Sequence, residues 1–251
     1  MLLPYFSESE QRRIATFLDN KCSEIDQLIS LQEQFIEELK AYKQSVITEA
    51  VTKGLNPEVE MKESGVEWIG RIPKEWKVCQ LKRNSQVMNG KEITKETTDI
   101  NAIPVFGSGG VFKYNENFIA DCETVMFGRK GTLGKPIYFK GKFWVVDTMY
   151  YLTFNNNVAP KYIYYQLTSF DWQPYITQTA LPSIVGSTIG NCFFAFPPIQ
   201  EQRAIATYLD TKCAEIDSLI ALKQQKIDAL KDYKKSIIYE YVTGKKTVSN
   251  A

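Results

Sequence analysis

The chain has 251 residues, with 30 basic and 29 acidic side chains, a net charge of +1, five cysteines and no histidine. That length holds one large or two small domains with a real core, and no apolar run is long enough to span a bilayer. The missing histidine removes the commonest general base, the usual metal ligand and every imidazole triad. Five cysteines without paired spacing argue against a disulfide framework or a zinc site and fit a reducing cytoplasm. The opening Met1 to Phe6 is too short, and lacks the positive flank, for a secretory signal. Charge is divided unevenly: residues 1–61 carry −5, residues 62–190 carry +4 and residues 191–251 carry +2.

The first predicted element is a long helix. Ser7-Glu-Ser-Glu10 has the Ser-x-x-Glu form of a capping box and predicts a start near residue 8. Ile25, Leu28, Phe35, Leu39, Tyr42 and Val46 then recur at three- and four-residue steps, with Gln32 as a polar lapse. The 43 residues from Glu10 to Thr52 return 191 positions later as Glu201 to Thr243, with about 27 identities. In this second copy Ile216, Leu219, Ile227, Leu230, Tyr233 and Ile237 provide the pairing positions. Spacing near 3.5 residues predicts two coiled-coil helices, each ending at a glycine, Gly54 and Gly244. Neither stripe is stable alone, so each needs a partner. Adjacent ends of the insert make the pairing antiparallel. Glu33, Glu37 and Glu38 are expected to face Lys223, Lys226 and Lys231, unless these are simply solvated faces.

Between the arms the pattern changes to short β-like runs: Trp76–Leu81, Ile103–Phe106, Thr124–Phe127, Pro136–Phe139, Phe143–Val146 and Tyr150–Phe154. A helix is expected over Pro160–Ser169, with proline in its first turn. The predicted fold class is α+β: one globular mixed α/β domain over 61–196, flanked by long helices of 1–60 and 197–251 that form an antiparallel coiled coil.

Three glycine-bearing stretches invite chemistry. Val105-Phe-Gly-Ser-Gly-Gly110 superficially resembles a methyltransferase cofactor loop, but no Asn-Pro-Pro-Tyr motif accompanies it, and a turn between strands is the better reading. Gly128-Arg-Lys-Gly-Thr-Leu-Gly-Lys135 is not a P-loop, because five residues rather than four separate its outer glycines and Pro136 stands where Ser or Thr is needed. It remains a glycine-rich turn with adjacent cations and free backbone N–H groups, suited to a phosphate backbone, or a basic hairpin without a ligand. Gly186–Gly190 reads as a turn before the buried strand Phe193–Pro198, with a polar contact from Ser187 or Thr188 as the alternative. Between Glu123 and Asp147 there is no acid, while Arg129, Lys130, Lys135, Lys140 and Lys142 all fall there. Ser108 and Thr132 lie in the two glycine turns. Lys113, Tyr114, Asn115 and Asn117 form a second polar group; either asparagine could read an adenine edge or serve its turn. These eleven residues are the candidate DNA-contacting set. No catalytic or metal-binding set is found.

Ser9-Glu-Gln-Arg-Arg-Ile-Ala15 with Leu3-Pro4, and Pro197-Pro-Ile-Gln-Glu-Gln-Arg-Ala-Ile-Ala206, resemble the openings of the conserved regions in type I restriction-modification specificity subunits. Glu63-Ser-Gly-Val-Glu-Trp-Ile-Gly-Arg-Ile-Pro-Lys-Glu-Trp76, Ile103–Gly107, Gly128–Gly134 and Asp147–Leu152 are similar to parts of that family's target recognition domains. The resemblance covers essentially the whole chain. It implies a non-catalytic reader of double-stranded DNA that docks methyltransferase and restriction subunits, on which S-adenosylmethionine, Mg2+ and ATP would be bound. A complete subunit of the family alternates two recognition domains with two helical regions, whereas this chain has one recognition domain. That implies a homodimer reading a symmetric interrupted site. The alternatives are a truncated or silent remnant, a coiled-coil protein-interaction scaffold, and an enzyme acting alone.

Overall fold

The computed structural model describes residues 6–248, so the Leu3-Pro4 part of the resemblance lies outside the described residues. The described α-helices are α1 (Glu8–Lys53), α2 (Pro160–Ser169), α3 (Gly186–Asn191) and α4 (Ile199–Val242). Ser7 closes the capping box of α1: its N–H donates to Glu10 Oε2 at 3.0 Å, and the Glu10 N–H reaches Ser7 Oγ at 3.4 Å. Gly54 and Gly244, at φ 76° and 72°, adopt the left-handed conformation just beyond the ends of α1 and α4. The chain forms two compact units. One holds the chain up to Lys43 together with the chain from Lys212, and the other is Gln44–Thr211. The division falls inside both long helices, whose residues 44–53 and 199–211 belong to the globular unit.

In the helical unit α1 and α4 run antiparallel. Phe17 lies 4.7 Å from Tyr241 between ring centroids, and Leu18, Ile25 and Ile237 form a buried cluster with Ile14, Ile29 and Leu230. The α1 seam follows two interleaved heptad rows, 18-25-32-39 and 22-29-36-43, and α4 answers with 216-223-230-237 and 213-220-227-234. Of the expected pairing residues, Ile25, Leu39, Ile216, Ile227, Leu230 and Ile237 lie on this seam, with Leu39 and Leu230 half-buried. Val46 is half-buried in the part of α1 that belongs to the globular unit. Leu28, Phe35, Tyr42, Leu219 and Tyr233 are exposed, which corrects their assignment to the seam. Each is one residue, about 100° of helix rotation, away from a seam position. Gln32, the polar lapse, is buried in the seam, and its Oε1 has no hydrogen-bond partner.

The cross-helix ion pairs also differ from expectation. Among the described residues Glu33, Glu37 and Glu38 make no salt bridge to α4; Glu37 pairs with Lys40 on its own helix. The observed pairs are Lys43–Asp217 and Lys234–Asp26, each at 2.6 Å. Residues 26 and 43 plus 191 give 217 and 234, so the two bridges are copies related by the internal repeat. Both are partly exposed, so they favour this partner more than they add stability. Asp26 holds the Lys234 ammonium above its ordinary pKa by accepting its hydrogen bond. Lys223 Nζ sits 4.8 Å from the centroid of Phe35 and covers part of that exposed ring.

The globular unit is built on a sheet of β4 (Ser85–Asn89), β5 (Glu96–Thr97), β6 (Ile103–Gly107), β7 (Gly110–Asn115), β8 (Ala120–Gly128), β9 (Ile137–Val145) and β10 (Met149–Phe154). These are ordered β4-β10-β8-β9-β6-β7-β5. All neighbours are antiparallel except β6 and β9. Before it, β1 (Met61–Glu63) pairs with β2 (Arg71–Pro73), and β3 (Lys77–Gln80) pairs with β11 (Phe193–Phe196). Phe106, Met126, Phe143, Val145, Met149 and Tyr151 form the central core. The two strands expected at 136–139 and 143–146 are one, β9, which passes through Gly141 at φ 120°. The expected turn at Gly186–Gly190 is instead the short helix α3.

Helix α2 occupies the expected residues and ties the strands to the ends of the long helices. Tyr162 Oη donates to the Val51 and Ala195 carbonyls, both at 3.2 Å. Gln202 Oε1 accepts from the Ala159 N–H at 2.9 Å while its Nε2 donates to the Pro197 carbonyl at 2.9 Å. Asp210 accepts from Tyr165 Oη and pairs with Lys161, both at 2.7 Å.

Candidate nucleic-acid interface

The strongest convergence of predicted residues is at the β8–β9 loop. Gly128 is held so closely that a Cβ there would overlap the Thr132 carbonyl oxygen, and Gly131 has φ 79° against Ser108 Oγ. These two glycines let the loop fold onto the Gly107–Gly110 turn, where Ser108 Oγ accepts from the Thr132 N–H at 3.1 Å. The Arg129 and Lys130 N–H groups both donate to the Thr148 carbonyl, at 2.8 and 3.1 Å. Of the backbone donors expected to be free for phosphate, those of 129, 130 and 132 are therefore engaged within the protein. The loop offers a ligand side chains: Arg129 and Lys135 exposed, Lys130 half-buried, none with an ion-pair partner among the described residues. Gly134 packs on the buried Trp172 ring.

A segment that the sequence reading passed over completes this cluster. The Arg129 carbonyl accepts from the Ile184 N–H at 3.0 Å, and Lys130 bridges to Ser183. Ser183 in turn closes the loop by accepting from the Thr177 N–H at 2.9 Å, leaving Gln178, Thr179 and Leu181 exposed beside the cations. The run Thr177 to Ser183 is uncharged, so a search for basic runs cannot find it. Its threonines and the Pro182-Ser183 pair, turn-forming residues, are the available signal.

The other predicted contacts do not join the loop. Lys140 and Lys142 lie on the paired part of β9, opposite Glu123 and Asp121. Lys140 is bonded to Glu123 at 2.7 Å, and Lys142 Nζ lies 5.1 Å over the Phe118 ring. Burial, and then the Glu123 charge, push the neighbouring Tyr138 hydroxyl up to about 12, so it remains neutral beside that pair. Lys113 is neutralised by Glu96 at 2.7 Å. Tyr114 is half-buried on β7, and Asn117 is exposed beyond its end.

Asn115 is a clear correction. It is fully buried, and its Oδ1 accepts from the Lys95 N–H at 3.1 Å, so it holds the β5 edge and reaches no base. Asn115→Ala should leave base preference unchanged and lower stability by loosening the β5 edge, since the Lys95 N–H loses its acceptor. Denaturant titration alongside binding to a panel of duplexes would show both.

Comparison with known proteins places this architecture. The model of the type I restriction modification DNA specificity domain matches residues 73–250. The MjaVIII specificity subunit of Methanocaldococcus jannaschii is 25% identical over 96% of this chain and 61% of its own length. The EcoprrI specificity subunit of Escherichia coli is 23% identical over 51% of this chain and 32% of its own length. Among solved structures, a chain from a study of complex assembly and conformational transition of the type I R-M system superposes with a TM-score of 0.78 at 16% identity. That match covers 96% of this chain and 61% of the other. The HsdS subunit of Thermoanaerobacter tengcongensis gives 0.59 at 17% identity, covering 96% of this chain and 60% of the other. At such identities the structures speak for the fold, and the match spans about three-fifths of the MjaVIII subunit and of both solved chains, and about a third of the EcoprrI subunit. With the family model covering well over half of its residues, the chain belongs to the type I restriction modification DNA specificity family.

Proposed function

We propose that this chain is a non-catalytic DNA-recognition subunit whose globular unit reads one half of an interrupted site. The observation that carries the reading is the pinned β8–β9 loop, where Arg129, Lys130 and Lys135 stand without acidic partners among the described residues, beside the polar 177–183 loop. Cations of this kind hold phosphates and set register, and uncharged neighbours supply base-edge contacts. Methyltransferase and restriction subunits would bring S-adenosylmethionine, Mg2+ and ATP. Exposed apolar residues on both long helices, Leu28, Leu31 and Tyr42 on α1 and Leu219, Leu222 and Tyr233 on α4, suit docking to methyltransferase subunits. The two sets are copies under the internal repeat, so each helix offers a similar face to a similar partner.

Titration of the purified chain with target and random duplexes over a range of salt tests the reading. Affinity should fall steeply with salt for both, with a specific excess for the target. No measurable affinity for any duplex, with or without the methyltransferase partner, would remove it and favour a protein-binding scaffold. One domain reads one half-site, so the working complex needs a second reader, in the simplest case a second copy. Sedimentation at micromolar concentration checks this: a monomer that stays single on adding the methyltransferase excludes the homodimer.

A further inference from the structure

The β6–β7 hairpin presents an aromatic residue outside the candidate DNA-contacting set. Val105 pairs with Lys113 but Phe106 with Val111, so Phe112 is the extra residue of a β-bulge and is left without a partner in that ladder. A bulge re-aims a side chain, and bulges gather beside functional surfaces. Phe112 is 54% exposed, yet its ring has a fixed seat. It lies over Gly107, where a Cβ would come within 3.2 Å of two ring atoms. Ser108, the residue after that glycine, accepts from the Thr132 N–H and so ties the hairpin turn to the β8–β9 loop. The aromatic therefore stands where the hairpin meets the cation-bearing loop.

The surroundings of Phe112 suit a base better than a phosphate. On one side Lys113 is neutralised by Glu96 at 2.7 Å, and on the other Val111 is apolar and exposed. The second segment bonded to the cation loop, 177–183, likewise turns a large apolar side chain outward at Leu181. Single exposed apolar residues are ordinary on a protein surface. Here both segments pinned to one set of cations carry one, and those cations have no acidic partner among the described residues. Cations that hold a phosphate backbone bring the neighbouring side chains over a groove. The apolar surfaces found there are thymine methyl groups and the faces of bases at an opened step.

We propose that Phe112 is a specificity-determining residue, which makes apolar contact with bases while Arg129, Lys130 and Lys135 hold phosphates. A thymine methyl edge and a base-pair step parted by the ring offer the same apolar chemistry. The proposal rests on the DNA-reading function and deepens it, and it can fail while duplex binding stands.

The test begins with a duplex that the full chain selects from a random-sequence pool. The parent chain and Phe112→Ala are then titrated with the selected duplex and with the unselected pool. Phe112→Ala should lose about tenfold or more in affinity for the selected duplex, while affinity for the pool and the salt slope change less than twofold. Phe112→Trp should keep the preference, and its added emission should be quenched by stacking on the selected duplex. Uracil in place of each thymine weakens parent binding where a methyl group is touched, whereas 2-aminopurine brightens where a step is opened. Neither response in the parent overturns the proposal. So does a folded Phe112→Ala, checked by circular dichroism, that keeps the full preference or loses equally on both duplex sets. If Phe112→Ala does not fold, the Phe112→Trp emission decides, and an unquenched signal overturns the contact. A parent that binds duplexes without preference overturns it as well but leaves phosphate holding intact. A parent that binds no duplex removes the DNA-reading function together with this contact.

Discussion

Replacing Arg129 and Lys130 together by alanine is expected to weaken binding to every duplex alike and to lower the salt slope by about two. Each phosphate contact contributes about 0.9 to that slope through counterion release, so losing two removes nearly that much. At about 1.5 kcal/mol per charge-assisted contact, the low end of the usual range, the pair is worth roughly a hundredfold in affinity. The backbone of the loop should survive, because the bonds that pin it use main-chain groups of 129, 130 and 132, which alanine retains. The matched control is Lys140→Ala with Glu123→Ala. That pair is already neutral, so removing both members should change affinity little. Loss confined to one target sequence would mean that Arg129 and Lys130 read bases instead.

Ile227→Lys should melt the helical unit, whereas Leu219→Lys should be nearly silent. Ile227 is 1% exposed at the seam, and Leu219, a pairing residue by sequence, is 47% exposed. A lysine at 227 loses the packing of a buried isoleucine and strands an ammonium among apolar groups, a cost of about 3 kcal/mol or more. That corresponds to a fall of roughly 10 °C in midpoint for a chain of this size. A solvent-facing lysine at 219 should stay within about 0.5 kcal/mol of the parent. Thermal melts followed at 222 nm decide between the two registers, and equal destabilisation by both would contradict the seam described above.

This pair also shows where sequence stopped being sufficient. The helices, their capping box and their glycine stops were legible, because repetition and local chemistry point the same way. The seam was only half legible. Leu28, Phe35 and Tyr42 form a second apolar row beside the true one, while Gln32 and Lys43 sit in the true row with polar side chains. Hydropathy cannot rank such rows, since the outer one carries its own apolar surface. In the globular unit the β8–β9 loop was found by its glycines and cations. Lys140 carries the same charge and Lys113 belongs to the second polar group, but cross-strand acids placed by pairing register cancel both. Burial of Asn115 and recruitment of the 177–183 loop both depend on tertiary contacts between distant segments, which no local pattern records.

The two helices share most of their repeated residues, and a difference at their midpoint bears on who pairs with whom. Under the repeat Gln32 and Phe35 of α1 correspond to Lys223 and Lys226 of α4, so the halves differ most where the symmetry axis between them passes. Within one chain this mismatch is favourable, for Lys223 rests on the Phe35 ring. Pairing of two α4 helices from different molecules would instead bring Lys226 of one against Lys223 of the other and leave Phe35 without its cation. Like charges at a seam oppose such pairing. The midpoint acts against pairing of like with like, so that an α1 takes an α4 as its partner.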